Sequence, residues 1–413
     1  MEVIIDRCAG LDVHKKTVAA CVRSPGGGRS RRSEVRTFGT FAEELVELRD
    51  WLKAEGVTTV AMEATGVYWK PVFYALEDDF ELLLVNATFV KKLPGRKTDV
   101  KDAEWLGQLL ECGLLRGSFV PPPVIRELRD LTRYRKRLVQ ERARESQRVE
   151  KLLEDTGIKV SAVASCTLGA SVRKMLDALV AGERDPAVLA ELAKGRLRSK
   201  LPELRRSLDT SLFREHHAIM LSEHLAHIDH LSASIERLDG RVDQVIAPFA
   251  ETRDRLMTIP GVGKTAAEVI IAEIGTDMSR FPTAAHLASW AGMCPGNNES
   301  AGKHRSGHTT SGDPWLAGML TECGWAARYT KDTYLAAQFW QIARRRGQKR
   351  ASIAVGHSLL VIAWHIISTP GLVYSELGGD YFNRRLDPEL RARKLLAQLQ
   401  SLGLKVTVEP AAA

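Results

Sequence analysis

Asp99 and Asp102 stand three residues apart where a helical pattern begins, in Arg96-Lys97-Thr98-Asp99-Val100-Lys101-Asp102-Ala103-Glu104-Trp105-Leu106. Three residues is nearly one helical turn, so both carboxylates look the same way. Ala103, Leu106, Leu109 and Leu110 follow at helical spacing, a run that seats the helix on a core and leaves the two acids at its N-terminal end. Paired carboxylates held rigidly are how proteins hold Mg²⁺ or Mn²⁺. The same letters also fit an N-cap Asp beside a solvated charge, since Asp is favoured in first helical turns. The segments upstream bear on the choice.

Cys8 to Arg23 reads as a strand, a tight turn at His14-Lys15-Lys16 and a second strand. Alternation puts Gly10, Asp12 and His14 on one face and Leu11 and Val13 on the other, so Asp12 lies mid-strand where an acid is out of place unless it binds something. A third strand is expected around Glu34 to Phe38, then an amphipathic helix from Phe41 to Glu55 closed by Gly56. The apolar strand Thr58 to Glu63 ends in a carboxylate, at the strand end where α/β sheets place their ligands. A helix (Lys70 to Leu76), a strand (Leu82 to Asn86) and a basic loop with Lys91, Lys92, Arg96 and Lys97 complete the segment.

Three strands, then alternating helices and strands, with acids on the first strand, the fourth strand and the last helix, is the layout of an α/β ribonuclease-H-like domain. Asp12, Glu63, Asp99 and Asp102 drawn together would repel one another unless cations sat between them, so the constellation implies metal. Two ions ~4 Å apart suit phosphodiester chemistry, where one activates the attacking oxygen and the other stabilises the leaving one.

At these residues the chain resembles a known family. Asp12 in CAGLDVHKKTVAACV, Glu63 in AMEATGVYWKPV and the pair in KTDVKDAEWLGQLL look like the four-acid signature of the DEDD insertion-sequence transposases of the IS-one-ten kind, whose first domain is RuvC-like. The resemblance covers the first 115 or so residues and resumes at about 255 to 370.

Composition is compatible with this. The 413 residues are 44% hydrophobic and 27% charged, which excludes a disordered tail or a fibre. A formal charge of +8 tilts the partners toward nucleic acid without proving it. Six scattered cysteines without C-x-x-C indicate neither a disulfide framework nor structural zinc, and fit a reducing, cytoplasmic setting. No segment approaches about 18 uninterrupted apolar residues and the N-terminus lacks a signal pattern, so neither export nor a membrane span is expected.

Pro121-Pro122-Pro123 is a stiff break, and it closes a first domain spanning 1–120. The region 121–254 is expected to be helical with a coiled coil. From Arg126 to Arg148 there are nine Arg or Lys against four Asp or Glu, either a salt-bridged face or a helix that tracks phosphates. Ile228, Leu231, Ile235, Leu238, Val242, Val245 and Phe249 form a 3-4 seam whose partner is either the Arg126 helix or another subunit. Residues 157 to 215 are helical but poorly patterned. His216, His217, His224, His227 and His230 lack a matching third ligand and read as exposed histidines rather than a zinc site.

The region 255–370 is expected to be mainly α, followed by a tail at 371–413. Thr258 to Thr265 is no P-loop, because the place of its first glycine is Thr258 and no apolar strand precedes it. The better reading is a helix-hairpin-helix in which Gly261, Gly263 and Lys264 grip phosphate through backbone N–H groups. Cys294 to Gly307 reads as a flexible loop offering a hydroxyl beside Lys303, His304 and Arg305. The family's last domain has a serine in a P-x-x-x-S-S-G-G-K-like loop, and counting from Pro295 to Lys303 puts the second serine on Ser300. Glu299 and Ala301 depart from that pattern, which leaves Ser306 and Ser311 as alternatives. Arg344, Arg345, Arg346, Lys349 and Arg350 mark a further phosphate contact zone.

The resemblance implies a DNA transposase or site-specific recombinase. In that reading Ser300 attacks a phosphodiester to give a covalent 5′-phosphoserine link, while Asp12, Glu63, Asp99 and Asp102 hold Mg²⁺ near the same phosphate. It also implies donor and target DNA as substrates, an element-encoded bridge RNA as guide, and a homo-oligomer, dimer or tetramer. The alternatives are a RuvC-like metal-dependent nuclease acting on branched DNA with water as nucleophile, and a non-catalytic nucleic-acid scaffold. The four acids argue against the scaffold, because unfilled they only repel phosphates.

Overall fold

In the first strand of the computed structural model, Ala9, Leu11 and Val13 are buried on one face while Cys8, Gly10 and Asp12 take the other, as period-two alternation requires. The structure describes residues 3–27, 30–86, 102–296, 298–306, 309–385 and 388–407, in two compact units, Met1–Val120 and Pro121–Ala413. The first unit runs β1 (Cys8–Val13), β2 (Thr17–Pro25), β3 (Arg31–Gly39), α1 (Ala42–Ala54), β4 (Thr59–Glu63), α2 (Trp69–Leu76), β5 (Glu81–Val85) and α3 (Asp102–Glu111). Its five-stranded sheet has the order β3-β2-β1-β4-β5, antiparallel from β3 to β1 and parallel from β1 to β5.

Helices cover both faces of this sheet. Leu45, Leu48 and Leu52 of α1 and Val72 and Leu76 of α2 pack on Leu11, Val60 and Met62. On the opposite face Leu106, Leu109 and Leu110 of α3 pack on Cys8, Ala61 and Val85. A Cβ added at Gly10 would lie 2.3 Å from both the Ala103 carbonyl oxygen and the Gly107 amide nitrogen, so α3 rests directly on the β1 backbone. Glycine is required there by close approach, and Gly107 answers it from the helix side.

The second unit is helical. It contains α4 (Pro123–Asp155), α5 (Ala170–Val180), α6 (Pro186–Glu191), α7 (Leu201–Ser207), α8 (Glu215–Ile246), α9 (Ala250–Met257), α10 (Lys264–Ile274) and α11 (Ala284–Trp290). A two-stranded hairpin, β6 (Asn298–Ser300) and β7 (Lys303–Ser306), follows, then α12 (Pro314–Ala327), α13 (Tyr334–Arg346), α14 (Gln348–Ser368), α15 (Tyr381–Arg384) and α16 (Pro388–Ser401).

The seam on α8 is filled from within the chain. Arg135 bonds Asp239, Arg142 bonds Ser232 and Glu127 bonds Arg241, a falling register that makes α4 and α8 antiparallel. Leu138 meets Leu231 and Ile235 between them, with Leu238 packed alongside. Leu231→Asp should therefore cost about 3 kcal/mol by burying an unpaired charge. Chemical denaturation reads this as a lower midpoint, and light scattering should show unchanged mass; a changed mass with an unchanged midpoint would instead put the seam between subunits.

The poorly patterned stretch forms a small core of its own. Val172, Met175 and Leu179 of α5, Leu189 of α6 and Leu204 of α7 close over Val149 and Leu153 at the end of α4 and Leu221 and Leu225 at the start of α8. Among the described residues, α14 is the one helix long and apolar enough to cross a membrane by length and composition. Half of that stretch is buried inside the unit, with Val355, Leu359, Leu360 and Ala363 wholly enclosed, so burial in a protein core accounts for its apolar character.

Candidate metal centre and serine hairpin

β1 and β4 run parallel with Leu11 opposite Met62, which makes Asp12 level with Glu63 one residue further along. Both belong to the face that carries α3, because Leu11 and Met62 are committed to the opposite core. Neighbouring strands lie about 4.8 Å apart, so the two residues occupy adjoining positions at the carboxyl ends of adjacent strands. Asp102 is the first residue of α3, next to the Ala103 carbonyl that rests on Gly10. The contact that demands Gly10 thus sets the first turn of α3, which Asp102 opens, against the strand that carries Asp12.

All three carboxylates are half-buried. His14 stands beside Asp12, its Nε2 lying 3.1 Å from Asp12 Oδ2. The sequence puts His14 on the face of Asp12 but assigns it only to a turn. Hard carboxylate oxygens in this setting suit Mg²⁺ or Mn²⁺ rather than a thiolate-loving metal. Among the described residues, no group of three or more His, Cys, Asp or Glu side chains is gathered closely enough to hold a metal ion. Asp99, together with Lys91, Lys92, Arg96 and Lys97, lies outside the described residues. Cys8, on the same face of β1, is no nucleophile: burial, reinforced by the nearby Glu111 carboxylate, pushes its thiol up to about 12.

If the seating of α3 positions Asp102, crowding it should disturb cleavage. Gly10→Ala forces backbone against backbone, a displacement that costs about 3 kcal/mol and shifts the start of α3. Loss of the strand cleavage that the resemblance implies, in a protein that still shows its cooperative unfolding transition, is the expected result. Full cleavage by that variant would show that the position of α3 does not matter to the chemistry.

In the second unit the stretch expected to be a flexible loop is a hairpin. Ser300 pairs with Lys303 across a two-residue turn, and both central residues have positive φ, 50° at Ala301 and 73° at Gly302. That is a type I′ turn, whose twist matches a β-ribbon. Gly302 adopts it freely, whereas Ala301 sits there at a cost of about 1 kcal/mol. Glycine at position 301, as in the resembled motif, would remove that cost, so the departure at Ala301 leaves the turn intact. Ser300 is thus the last strand residue before the turn, while Ser306 pairs with Asn298 near the hairpin's base. Ser311 lies outside the hairpin, exposed, one residue before Gly312. Lys303 is exposed, and Arg305 lies in β7.

Both ends of this segment are anchored. Pro295 bridges Thr309, and a Cβ at Gly312 would lie 2.2 Å from the Gly292 nitrogen, so the two ends of the segment touch backbone to backbone. Asp313 then caps α12, accepting from the Trp315 and Leu316 amides at 2.9 and 3.0 Å. Its other oxygen accepts from Arg133 at 3.1 Å, and Arg133 also grips the fully buried Glu273 through two bonds of 2.8 and 2.7 Å. Burial pushes the Glu273 carboxyl up although Arg133 hydrogen-bonds against that shift. Arg135 likewise reaches buried Glu268 at 2.8 Å. The arginines at 129, 133 and 135 therefore face acids inside the protein, which corrects the phosphate-tracking reading for this part of α4.

The helix-hairpin-helix candidates divide. A Cβ at Gly261 would meet the Cys323 carbonyl oxygen at 2.7 Å, so this glycine serves packing against α12. Gly263 is exposed at the start of α10, and Lys264 is exposed but paired with Asp243 at 2.5 Å. Arg344, Arg345 and Arg346 end α13 and Lys349 and Arg350 open α14, all of them exposed.

A family model described as Transposase, of the DEDD IS110 type, matches residues 9–158, and one described as Transposase IS116/IS110/IS902 family matches residues 253–341. The first span includes all four acids and the second includes Ser300. The chain is 25% identical over 333 residues to the Sinorhizobium fredii protein named "Putative transposase y4pF/y4sB", covering 78% of this chain and 76% of that one. It is 25% identical over 304 residues to the pilin gene-inverting protein of Moraxella bovis, covering 70% of this chain and 73% of that one. To the transposase for insertion sequence element IS1328 of Yersinia enterocolitica it is 26% identical over 155 residues, 36% of this chain and 45% of that one.

Proposed function

The chain belongs to the IS110-type DEDD transposases, and from that premise we propose that it cuts and rejoins DNA strands with Ser300 as nucleophile and Asp12, Glu63, Asp99 and Asp102 as ligands for Mg²⁺. The observation that carries the reading is the placement of Asp12 and Glu63, level on adjacent parallel strands and on the face that α3, opened by Asp102, covers. A bound divalent ion supplies charge neutralisation at a phosphate. The chain's own residues do the rest. The acids fix where such an ion binds, and the anchored hairpin holds the Ser300 backbone beside a tight turn.

In the serine step an Oγ–P bond forms and the P–O3′ bond breaks. The hydroxyl proton leaves Oγ, the 3′ oxygen departs as a hydroxyl, and the 5′ phosphate stays on the protein. Reversal by another 3′ hydroxyl reseals the strand without ATP, which suits a chain without a P-loop. The Moraxella relative supports rejoining over plain hydrolysis, because its name states that it inverts a gene, and inversion ends in sealed strands. The family resemblance alone carries two further parts of the proposal: an element-encoded bridge RNA that pairs with donor and target DNA, and a working homo-oligomer.

Incubation of the full chain with donor DNA, target DNA, the element's RNA and Mg²⁺, followed by denaturing electrophoresis, tests the proposal. Covalent protein–DNA adducts that depend on the ion are expected. Cut strands without adducts would hand the chemistry to water and make the chain a RuvC-like nuclease.

A further inference from the structure

Five cations crowd the junction of α13 and α14, and no acid lies among residues 344–350. All five are exposed, and none takes part in an ion pair among the described residues, in contrast to the inward-facing arginines of α4. Two aromatic rings share this surface. Tyr329 is 71% exposed and Trp340 is 42% exposed, although both are fixed in place. The Arg328 guanidinium sits 4.4 Å from the Tyr329 ring centre and 4.5 Å from that of Trp325, and it donates to Gln348 at 2.8 Å. Trp340 donates from Nε1 to the Arg328 carbonyl at 3.3 Å and packs edge-on against Phe339. Gln348 belongs to the cationic stretch, so the Arg328 bond joins the end of α12 to the start of α14 beside the charges. Trp340 and Arg344, four apart on α13, share a helix face.

Exposed rings that are already immobilised lose little entropy when a flat partner stacks on them. The unpaired cations beside them suit a backbone of phosphates. A duplex keeps its bases stacked inside and offers these rings nothing. We propose that this surface binds a single-stranded nucleic-acid segment, stacking unpaired bases on Tyr329 and Trp340 while Arg344, Arg345, Arg346, Lys349 and Arg350 hold the flanking phosphates. The inference rests on the nucleic-acid function of the chain and not on the serine chemistry. The unpaired segment comes from an opened DNA strand or from an RNA strand, and the two share this chemistry.

Binding is measured by fluorescence anisotropy on the full chain carrying Ser300→Ala, with four probes: oligo-thymidylate, oligo-uridylate, an abasic strand of equal length, and a duplex. Tyr329→Ala should weaken oligo-thymidylate or oligo-uridylate about tenfold, and Trp340→Ala by a similar factor. Abasic and duplex probes should stay within about twofold, because they present phosphates without stackable bases. The strand type that loses more is the source of the segment, and equal losses mean that both are read alike. If Trp340→Ala fails to fold, the highly exposed Tyr329→Ala decides alone. Unchanged oligonucleotide binding by Tyr329→Ala, or an equal loss on the abasic strand, would overturn the proposal and leave a patch that reads charge only. A chain that binds strands through these rings but forms no adduct with Ser300 restored would sink the serine reading and leave this one standing.

Discussion

Asp102→Asn should yield a protein that folds, binds DNA within a few fold of the parent and cuts at least about a thousand-fold more slowly, since the lost contribution is several kcal/mol of stabilisation made only in the transition state. Asp102 opens α3, Asp12 and Glu63 stand level on β1 and β4, and the Gly10 contact fixes the helix against the strand. None of these side chains holds the core together, so the amide should not unfold the unit. Were the four acids to converge as proposed, removing one like charge should leave the melting temperature of the metal-free protein equal or higher. Mg²⁺ or Mn²⁺ should raise the parent's melting temperature by binding the folded state, and should do so less for Asp102→Asn, Asp12→Asn and Glu63→Gln. Calorimetry with and without the ion reads this independently of catalysis. Full strand cleavage by Asp102→Asn would remove the metal-site reading.

The common face of Asp12 and Glu63 was legible in the sequence because β1 and β4 obey a strict two-residue period. Once Leu11, Val60 and Met62 are given to a core, Asp12 and Glu63 have only one face left, and strand ends are where a sheet presents its ligands. The crossing of Gly10 and Gly107 was not legible, since a glycine in a strand signals a close approach without naming what approaches. Charge alone left α4 undecided. A basic run looks the same whether it faces solvent, phosphate or protein, and only the partner helix distinguishes them. The signal was nevertheless present in α10, where Glu268 and Glu273 interrupt an otherwise apolar run and are costly to bury without cations opposite.

Short elements hid for a different reason. Helices α5, α6 and α7 have 11, 6 and 7 residues, too few turns for a 3.6-residue period to stand out, although together they enclose a core. The serine segment read as a loop because its strands have three and four residues, and its turn carries Ala where a type I′ turn favours Asn, Asp or Gly. The exposed rings of Tyr329 and Trp340 carry no periodic signal, since an aromatic residue in a helical pattern is ordinarily assigned to the core.

Ser300→Ala should abolish covalent adducts and recombination together, by at least about a thousand-fold, because no other group replaces a nucleophile that carries the strand. Hairpin geometry makes the test selective. Ser300 is the residue at which β6 meets the turn, and its strand partner is Lys303, whereas Ser306 lies near the base opposite Asn298. Ser306→Ala should stay active and serves as the control for backbone disturbance. Ala301→Gly sharpens the comparison: it relieves the positive φ of 50° without touching the hydroxyl, so it should stabilise the turn by about 1 kcal/mol and leave adduct formation intact. Ser300→Cys should keep a trace of activity, since a thiolate attacks phosphorus poorly. An inactive Ser306→Ala beside an active Ser300→Ala would move the nucleophile to the base of the hairpin. Robust cleavage by the double Ser300→Ala/Ser306→Ala protein, with the acids still required, would leave the serines as hairpin residues and assign attack to water.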